Sequence, residues 1–321
     1  MDAQTPVAQL RSGDRFDGCL LIRQISERLD KNSRRYLDLN LGDRTGEINC
    51  KLWNVPVTMK LPPLASVAHA VGEVTEFNGR IQMKLERLDP PGSKDSYDLS
   101  LLIPHAPEPS EAMLSELTEI AGSLRSEKLR LLVTELLRMA GNDLLHFPAA
   151  QRMHHAEYGG LLYHTVTMLR MAERMLEVYP FLNADLLRAG VIIHDLCKID
   201  EMLSDGLGNV SDYSRDGLLI GHLVRGVARV GEAAAHTGVT GEWVELLQHM
   251  MLSHHGIPEF GSPRYPMFPE AEALHLLDTL DAKMNEMEAI QQRTPEGAFS
   301  ERIAFLDDRR MYHPKYSDSA E

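Results

Sequence analysis

The stretch "VIIHDLCKID" (residues 191–200) sets two polar residues, His194 and Asp195, side by side inside an otherwise apolar run. The run continues an amphipathic segment that begins behind Asn183, a good N-cap, so a helix is expected over 183–200. Leaving an imidazole or carboxylate buried and unpartnered costs on the order of several kcal/mol. A lone histidine in such a place is usually a satisfied core residue. Taken alone, the pair carries no chemistry.

The neighbouring segments change that reading. Amphipathic helices are expected over 159–178, 217–235, 241–255 and 269–291, and each brings a comparable group. These are His164 in "GGLLYHTV", His222 in "LIGHLV", His254-His255 in "LSHHG" and Asp278 in "HLLDTLDAKM". Polar groups on five successive helices would point at one another, and a shared cation removes the penalty of burying them. Imidazole with carboxylate suits Mn²⁺, Fe²⁺, Ni²⁺ or Zn²⁺, with Mg²⁺ admitted, rather than Ca²⁺. Consecutive helical residues diverge by about 100°. His194 and Asp195 therefore either straddle one ion or serve two, with the carboxylate bridging. Two ions ~3.5–4 Å apart are a common arrangement for phosphoester hydrolysis. Lys198, a helical turn beyond His194, is placed to meet a substrate phosphate; otherwise it is a solvated lysine at a helix end.

The first hundred residues have a different period. In "YLDLNLGDRTGEINCKLW" (36–53), Leu37, Leu39 and Leu41 alternate with polar residues, and so do Ile48, Cys50 and Leu52 after the Gly-containing turn. That is a hairpin with one dry face. A second hairpin is centred on Asn78-Gly79. Several short strands joined by glycine turns predict a small antiparallel barrel. On the outward face, Tyr36, Lys51 and Trp53 come together, with Lys31, Arg34 and Arg35 just before them. Aromatic platforms beside basic loops hold single-stranded nucleic acid; the plainer alternative is a Trp53 packed under a helix.

"PHAPEPS" (104–110) separates the two halves, and the expected division is 10–104 barrel, 105–150 helical linker, 151–300 helical bundle and 301–321 frayed tail. Apolar residues are 43% and charged residues 25%, so the chain can build a soluble core. No apolar run approaches the ~20 residues that span a bilayer. The start has neither a positive nor an apolar signal region. Cys19, Cys50 and Cys197 are scattered and form no CxxC pair, so neither a disulfide framework nor a thiolate zinc site is indicated. A cytoplasmic protein without a membrane partner is expected, and homo-oligomerisation stays open. The net charge is −14, yet residues 1–100 hold 14 basic and 14 acidic residues, so the whole excess lies in the helical part. The total therefore does not exclude a polyanionic partner, because bound cations reverse a local field.

The order H…HD…H…HH…D resembles the HD-domain metal-dependent phosphohydrolases. The wider wording is similar to the YhaM family: "HHAEYGGLLYHTVTMLRMAERM", "LLRAGVIIHDLCKIDEM", "LLIGHLVRGV", "MLSHHGIPEFGSPRYPMFPEAEALHLLDTLDAKMNEM" and the upstream "LDLNLGDRTGEINCKLW". The resemblance covers roughly residues 12–295. It implies an N-terminal OB-fold barrel followed by an all-α HD domain, and a Mn²⁺-dependent 3′→5′ exoribonuclease with some action on single-stranded DNA. It also implies that His164, His194, Asp195 and Asp278 hold one ion. His222 and His254, with His255 as a further candidate, would complete a second site. Asp281 is the rival to Asp278, which matches the first Asp of the "D-x-x-D-A" pattern. His154 and His155 match the family's opening "HHA" and are implied to contact substrate phosphates; the alternative is an exposed loop pair. The chain departs from related cyclic-dinucleotide phosphodiesterases in lacking their GYP signature. It also carries Cys197 where a small residue is common.

Three readings compete. In the first, the barrel grips single-stranded RNA or DNA while Asp195, Lys198 and the ions cleave from the 3′ end. In the second, the helical site hydrolyses small nucleotides or very short oligonucleotides. In the third, the chain is a non-catalytic nucleic-acid binder with a structural metal site. A di-iron oxygenase is a remote fourth.

Overall fold

In a computed structural model describing residues 4–56, 59–92, 95, 97, 101–151, 155–205, 207–208 and 210–316, the chain divides into two compact units, residues 1–105 and 106–321. The first is a closed barrel of β1 (Arg15–Leu29), β2 (Arg35–Asp43), β3 (Gly46–Leu52), β4 (Val67–Phe77) and β5 (Arg80–Asp89), ordered β1-β2-β3-β5-β4. Every pairing is antiparallel except β3 with β5. β1 serves both ends of the sheet, pairing with β4 through Arg15–Leu21 and with β2 through Leu21–Leu29. A register shift between Ile22 and Gln24 marks where it bends, as closure of a small barrel requires. This is OB-fold strand order. Leu37, Leu39, Leu41, Ile48 and Cys50 point into the core, as their alternation demands. Asn78 (φ 51°) and Gly79 (φ 73°) both adopt the left-handed conformation that a tight two-residue hairpin turn needs.

The second unit is helical: α1 (Ser110–Ser123), α2 (Glu127–Ala140), α3 (Gly160–Val178), α4 (Ala184–Ile193), α5 (Lys198–Glu201), α6 (Arg215–Leu219), α7 (Gly221–Thr237), α8 (Glu242–Ser253) and α9 (Pro269–Arg293). A two-stranded ribbon, β6 (Met202–Ser204) with β7 (Val210–Tyr213), interrupts them. Residues 105–150, expected as a linker, instead supply α1 and α2 to the core. Met113, Leu117, Leu132 and Leu136 pack in one cluster with Leu162, Val166, Leu187 and Val191. The apolar stripe of α2 is too wide to leave in water. The tail differs from expectation too. Within its described part, the Ser300 N–H donates to Met311 O (2.8 Å), the His313 N–H donates to Ala298 O (2.9 Å), and Ile303 and Leu306 bury against Ile290 of α9. Ile303 and Leu306, joined by the partly buried Phe305 and Met311, hold it against the helix face.

The helix expected over 183–200 is broken. Asn183 caps α4 by accepting from the Leu186 N–H (3.1 Å), but α4 stops at Ile193. A turn follows with i→i+3 bonds: Leu196 N–H to Ile193 O (3.3 Å) and Lys198 N–H to Asp195 O (2.9 Å). Likewise α6 ends before Ile220 and α7 starts at Gly221. Among the described residues, no helix is long and apolar enough to cross a membrane.

Candidate metal centre

Five imidazoles are aimed by the nitrogen that faces away from the centre. His194 Nδ1 donates to Val191 O (2.9 Å), His254 Nδ1 to Met251 O (2.9 Å) and His255 Nδ1 to Phe260 O (2.8 Å). His222 Nδ1 donates to Glu201 Oε2 (2.8 Å), and His164 Nδ1 to Asp281 Oδ2 (2.7 Å). Since the acceptors are carbonyls and carboxylates, each Nδ1 carries the hydrogen, and Nε2 is presented to the interior. The first two bonds reach back three residues, which only a helix end permits. The break after Ile193 therefore turns both His194 and Asp195 inward.

Asp195 lies between two groups of donors. Its Oδ2 is 3.3 Å from His194 Nε2 and 3.7 Å from His164 Nε2, and His164 Nε2 is 3.2 Å from His194 Nε2 and 3.4 Å from Asp278 Oδ1. Its Oδ1 is 3.5 Å from His222 Nε2 and 3.6 Å from His254 Nε2, with His255 completing that side. Donors bound at 2.0–2.2 Å to one ion stand roughly 2.8–3.6 Å apart at octahedral or tetrahedral angles. The donor set fits divalent cations on a second count. Asp195 Oδ1, His222 Nε2 and His254 Nε2 are buried and make no hydrogen bond. Native proteins rarely leave such atoms without a partner. Three lone pairs converging with no donor among them call for a cation.

The ionisation states agree. Burial would raise the Asp195 carboxyl, but the Lys198 ammonium and His194 hold it well below the usual carboxylate range. Burial works against Asp278 as well, and the His164 hydrogen bond and the charges of His194 and His164 outweigh it. Burial drives His254 down to about 3, leaving a neutral ligand. For His164, burial is overcome by the hydrogen bonds it donates to Asp278 and Asp281, which lift it to about 9.

Several expected roles change place. Asp281 stands behind His164, where its carboxylate accepts from His155 Nε2 (2.8 Å), His164 Nδ1 (2.7 Å) and Thr167 Oγ1 (2.7 Å), while Asp278 faces the centre. His155 is not at an open face. It is buried, and its N–H donates to Asn285 Oδ1 (3.1 Å), so its ring braces Asp281 rather than meeting a phosphate. His154 lies outside the described residues. Lys198 Nζ sits 2.7 Å from Asp195 Oδ2, so the ammonium rests on the shared carboxylate. The sequence reading missed Glu201, which holds both the ring and the backbone N–H of His222 (2.8 and 3.2 Å), and Thr167 and Asn285. Thr167 follows His164 by three residues and Glu201 follows Lys198 by three, spacings that place each on the face of a named residue.

On the barrel, Tyr36 and Trp53 stack at 4.5 Å between centroids, tilted by 25°, and Lys51 Nζ lies 5.9 Å from the Tyr36 centroid. Trp53 is 39% exposed, so it is no buried core residue. A groove of about 610 Å³ is lined by Asn40, Asn49, Lys51, Phe77, Arg80 and Gln82. Lys31 and Arg34 are exposed, while Arg35 is committed to Glu27 (2.7 Å) and to Pro56 O (2.7 Å).

This order of histidines and aspartates on successive helices is the pattern of an HD domain, and the HD domain family matches residues 161–283. The curated 3′-5′ exoribonuclease YhaM of Shouchella clausii (strain KSM-K16) is 38% identical over 307 residues, covering 95% of each chain. That of Geobacillus sp. (strain WCH70) is 37% identical over 307 residues, covering 95% of this chain and 94% of the relative. The chain belongs to the YhaM family. Among solved structures it is similar, over 30% of its length and all of theirs, to the second OB-fold domain of replication protein A from Methanococcus maripaludis (TM-score 0.23, 16% identity). A replication protein A heterotrimer bound to ssDNA matches over 31% of this chain and 70% of that one (TM-score 0.21, 16% identity).

Proposed function

We propose that this chain is a cytoplasmic metal-dependent 3′→5′ exonuclease acting on single-stranded RNA, with single-stranded DNA as a lesser substrate. The observation that carries this reading is the convergence of Asp195 Oδ1, His222 Nε2 and His254 Nε2, buried and without hydrogen bonds, on the carboxylate shared with His164, His194 and Asp278. The near full-length likeness to curated exoribonucleases supports it.

Two divalent ions, manganese first among the candidates, would supply Lewis acidity toward the scissile phosphate and a lowered pKa for the attacking water. His164, His194, Asp195 and Asp278 would hold one, and His222, His254 and His255, with Asp195, would hold the other. Glu201 and Asp281 fix the tautomers of His222 and His164 from behind, a common device for orienting ligands. Lys198 keeps Asp195 ionised and places a positive charge beside the reacting phosphate. Tyr36 and Trp53 stack on bases, while Lys51, Lys31 and Arg34 attract the backbone, so strand binding is salt-sensitive and tolerant of sequence.

The test is incubation of 5′-labelled single-stranded RNA and DNA with Mn²⁺, with Mg²⁺ and with chelator. The expected result is a ladder shrinking from the 3′ end, abolished by chelator and by Asp195→Ala. Absence of cleavage under every metal, or full activity of Asp195→Ala, refutes the proposal.

A further inference from the structure

The two sides of Asp195 are not chemically equivalent. On the Oδ1 side the other donors are three imidazoles, those of His222, His254 and His255. On the Oδ2 side there are two imidazoles, His164 and His194, and a second carboxylate, Asp278. Within the centre, the buried atoms without a hydrogen bond, Asp195 Oδ1, His222 Nε2 and His254 Nε2, all lie on the nitrogen-rich side. On the other side, Asp195 Oδ2 already accepts from the Lys198 ammonium. Imidazole favours zinc, nickel and iron, whereas carboxylate oxygen favours manganese and magnesium. Replacing one imidazole by a carboxylate, with the rest of the set alike, shifts preference from the first group to the second.

We infer that this is a mixed-metal centre: the His222–His254–His255 side selects a zinc-like ion and the His164–His194–Asp278 side selects manganese. The inference rests on the two-ion reading above and goes beyond it by giving each half its own ion. The nitrogen-rich side is preformed by Nδ1 bonds to Glu201 and to the Met251 and Phe260 carbonyls, so it does not depend on the manganese side for its shape. Zinc generally binds any such site more tightly than manganese. The sorting therefore shows when zinc is limiting and manganese abundant.

The full chain is stripped of metal, given one molar equivalent of Zn²⁺ with excess Mn²⁺, and desalted. Metal content is then measured by mass spectrometry and Mn²⁺ by electron paramagnetic resonance. The expected product holds one zinc and one manganese, with the spectrum of an isolated Mn²⁺ ion. His255→Gln, reconstituted with Mn²⁺ alone, should still hold one manganese but fail to retain a second ion, and Asp278→Asn, given one equivalent of Zn²⁺ with excess Mn²⁺, should hold zinc and lose the manganese signal. In each variant the retained ion shows that the site is folded. A spin-coupled manganese pair in the zinc-supplemented protein overturns the inference. So does loss of the same ion from both variants. In both cases the two-ion reading stands. Binding of neither ion by the unsubstituted chain overturns both.

Discussion

Asp281→Asn separates an ion's ligands from the groups that aim them. Asp281 receives three donors on two oxygens: His155 Nε2 and His164 Nδ1 on Oδ2, and Thr167 Oγ1 on Oδ1. An amide has one acceptor oxygen and an NH₂ that cannot accept. The Asn oxygen can still accept from both imidazoles, and the Thr167 hydroxyl also reaches Tyr163 O and His164 O (2.9 Å each), so the loss is that of two charge-assisted bonds weakened to neutral ones, roughly 1–3 kcal/mol in all. In a helical unit of this size each kcal/mol lowers the melting midpoint by about 2–4 °C, so the expected fall is roughly 2–12 °C. Losing its charged acceptor also frees His164 to place the proton on Nε2, toward the ion. Such supporting groups typically contribute 10–100-fold in metal affinity, or about 1.4–2.7 kcal/mol. The assays are calorimetric Mn²⁺ titration and thermal denaturation, with and without metal, on the full chain. Unchanged affinity and midpoint would show that Asp281 does not orient His164. Complete loss of one ion, equal to that in Asp278→Asn, would show that Asp281 is itself a ligand.

Four other outcomes follow from the same structure. With His164 near 9 and His254 near 3, ion binding at pH 7 should release a proton from the His164 side and none from His254; titration in buffers of different ionisation enthalpy measures it, and the release should vanish above pH 9. In ion-stripped protein, the raised His164 stabilises the fold below its ordinary 6.5 and loses that contribution as pH rises through 9, while the depressed His254 penalises folding as pH falls from 6.5 toward 3. Trp53→Ala removes one stacking platform, worth about 1–3 kcal/mol; binding of a long single strand should weaken roughly 5- to 150-fold, with turnover of a dinucleotide unchanged. Gly190→Ala puts a methyl group against Met250 Cε and Sδ where α4 crosses α8; overpacking of about 1–3 kcal/mol, less the ~1 kcal/mol that Ala gains over Gly in a helix, leaves a net loss of up to about 2 kcal/mol, readable by chemical denaturation.

The sequence by itself determined what depends on nearest neighbours. Leu37, Leu39 and Leu41 could only form one dry strand face, and Asn78-Gly79 could turn the chain because both residues tolerate positive φ. The kinds of donor were equally legible, since a histidine or aspartate in an apolar helix face must be satisfied by something. Which donor meets which ion was not. Asp278 and Asp281 lie three residues apart, so their directions differ by only about 60° around α9. The roll of that helix is set by Leu274 and Leu277 seating in a core built from distant segments, and it decides which carboxylate faces the centre and which one stands behind His164. The same holds for His155, drawn inside by Asn285 across 130 positions, and for the two oxygens of Asp195. Periodicity gives a residue's face on its own element. Only the packing of elements against one another fixes what that face meets.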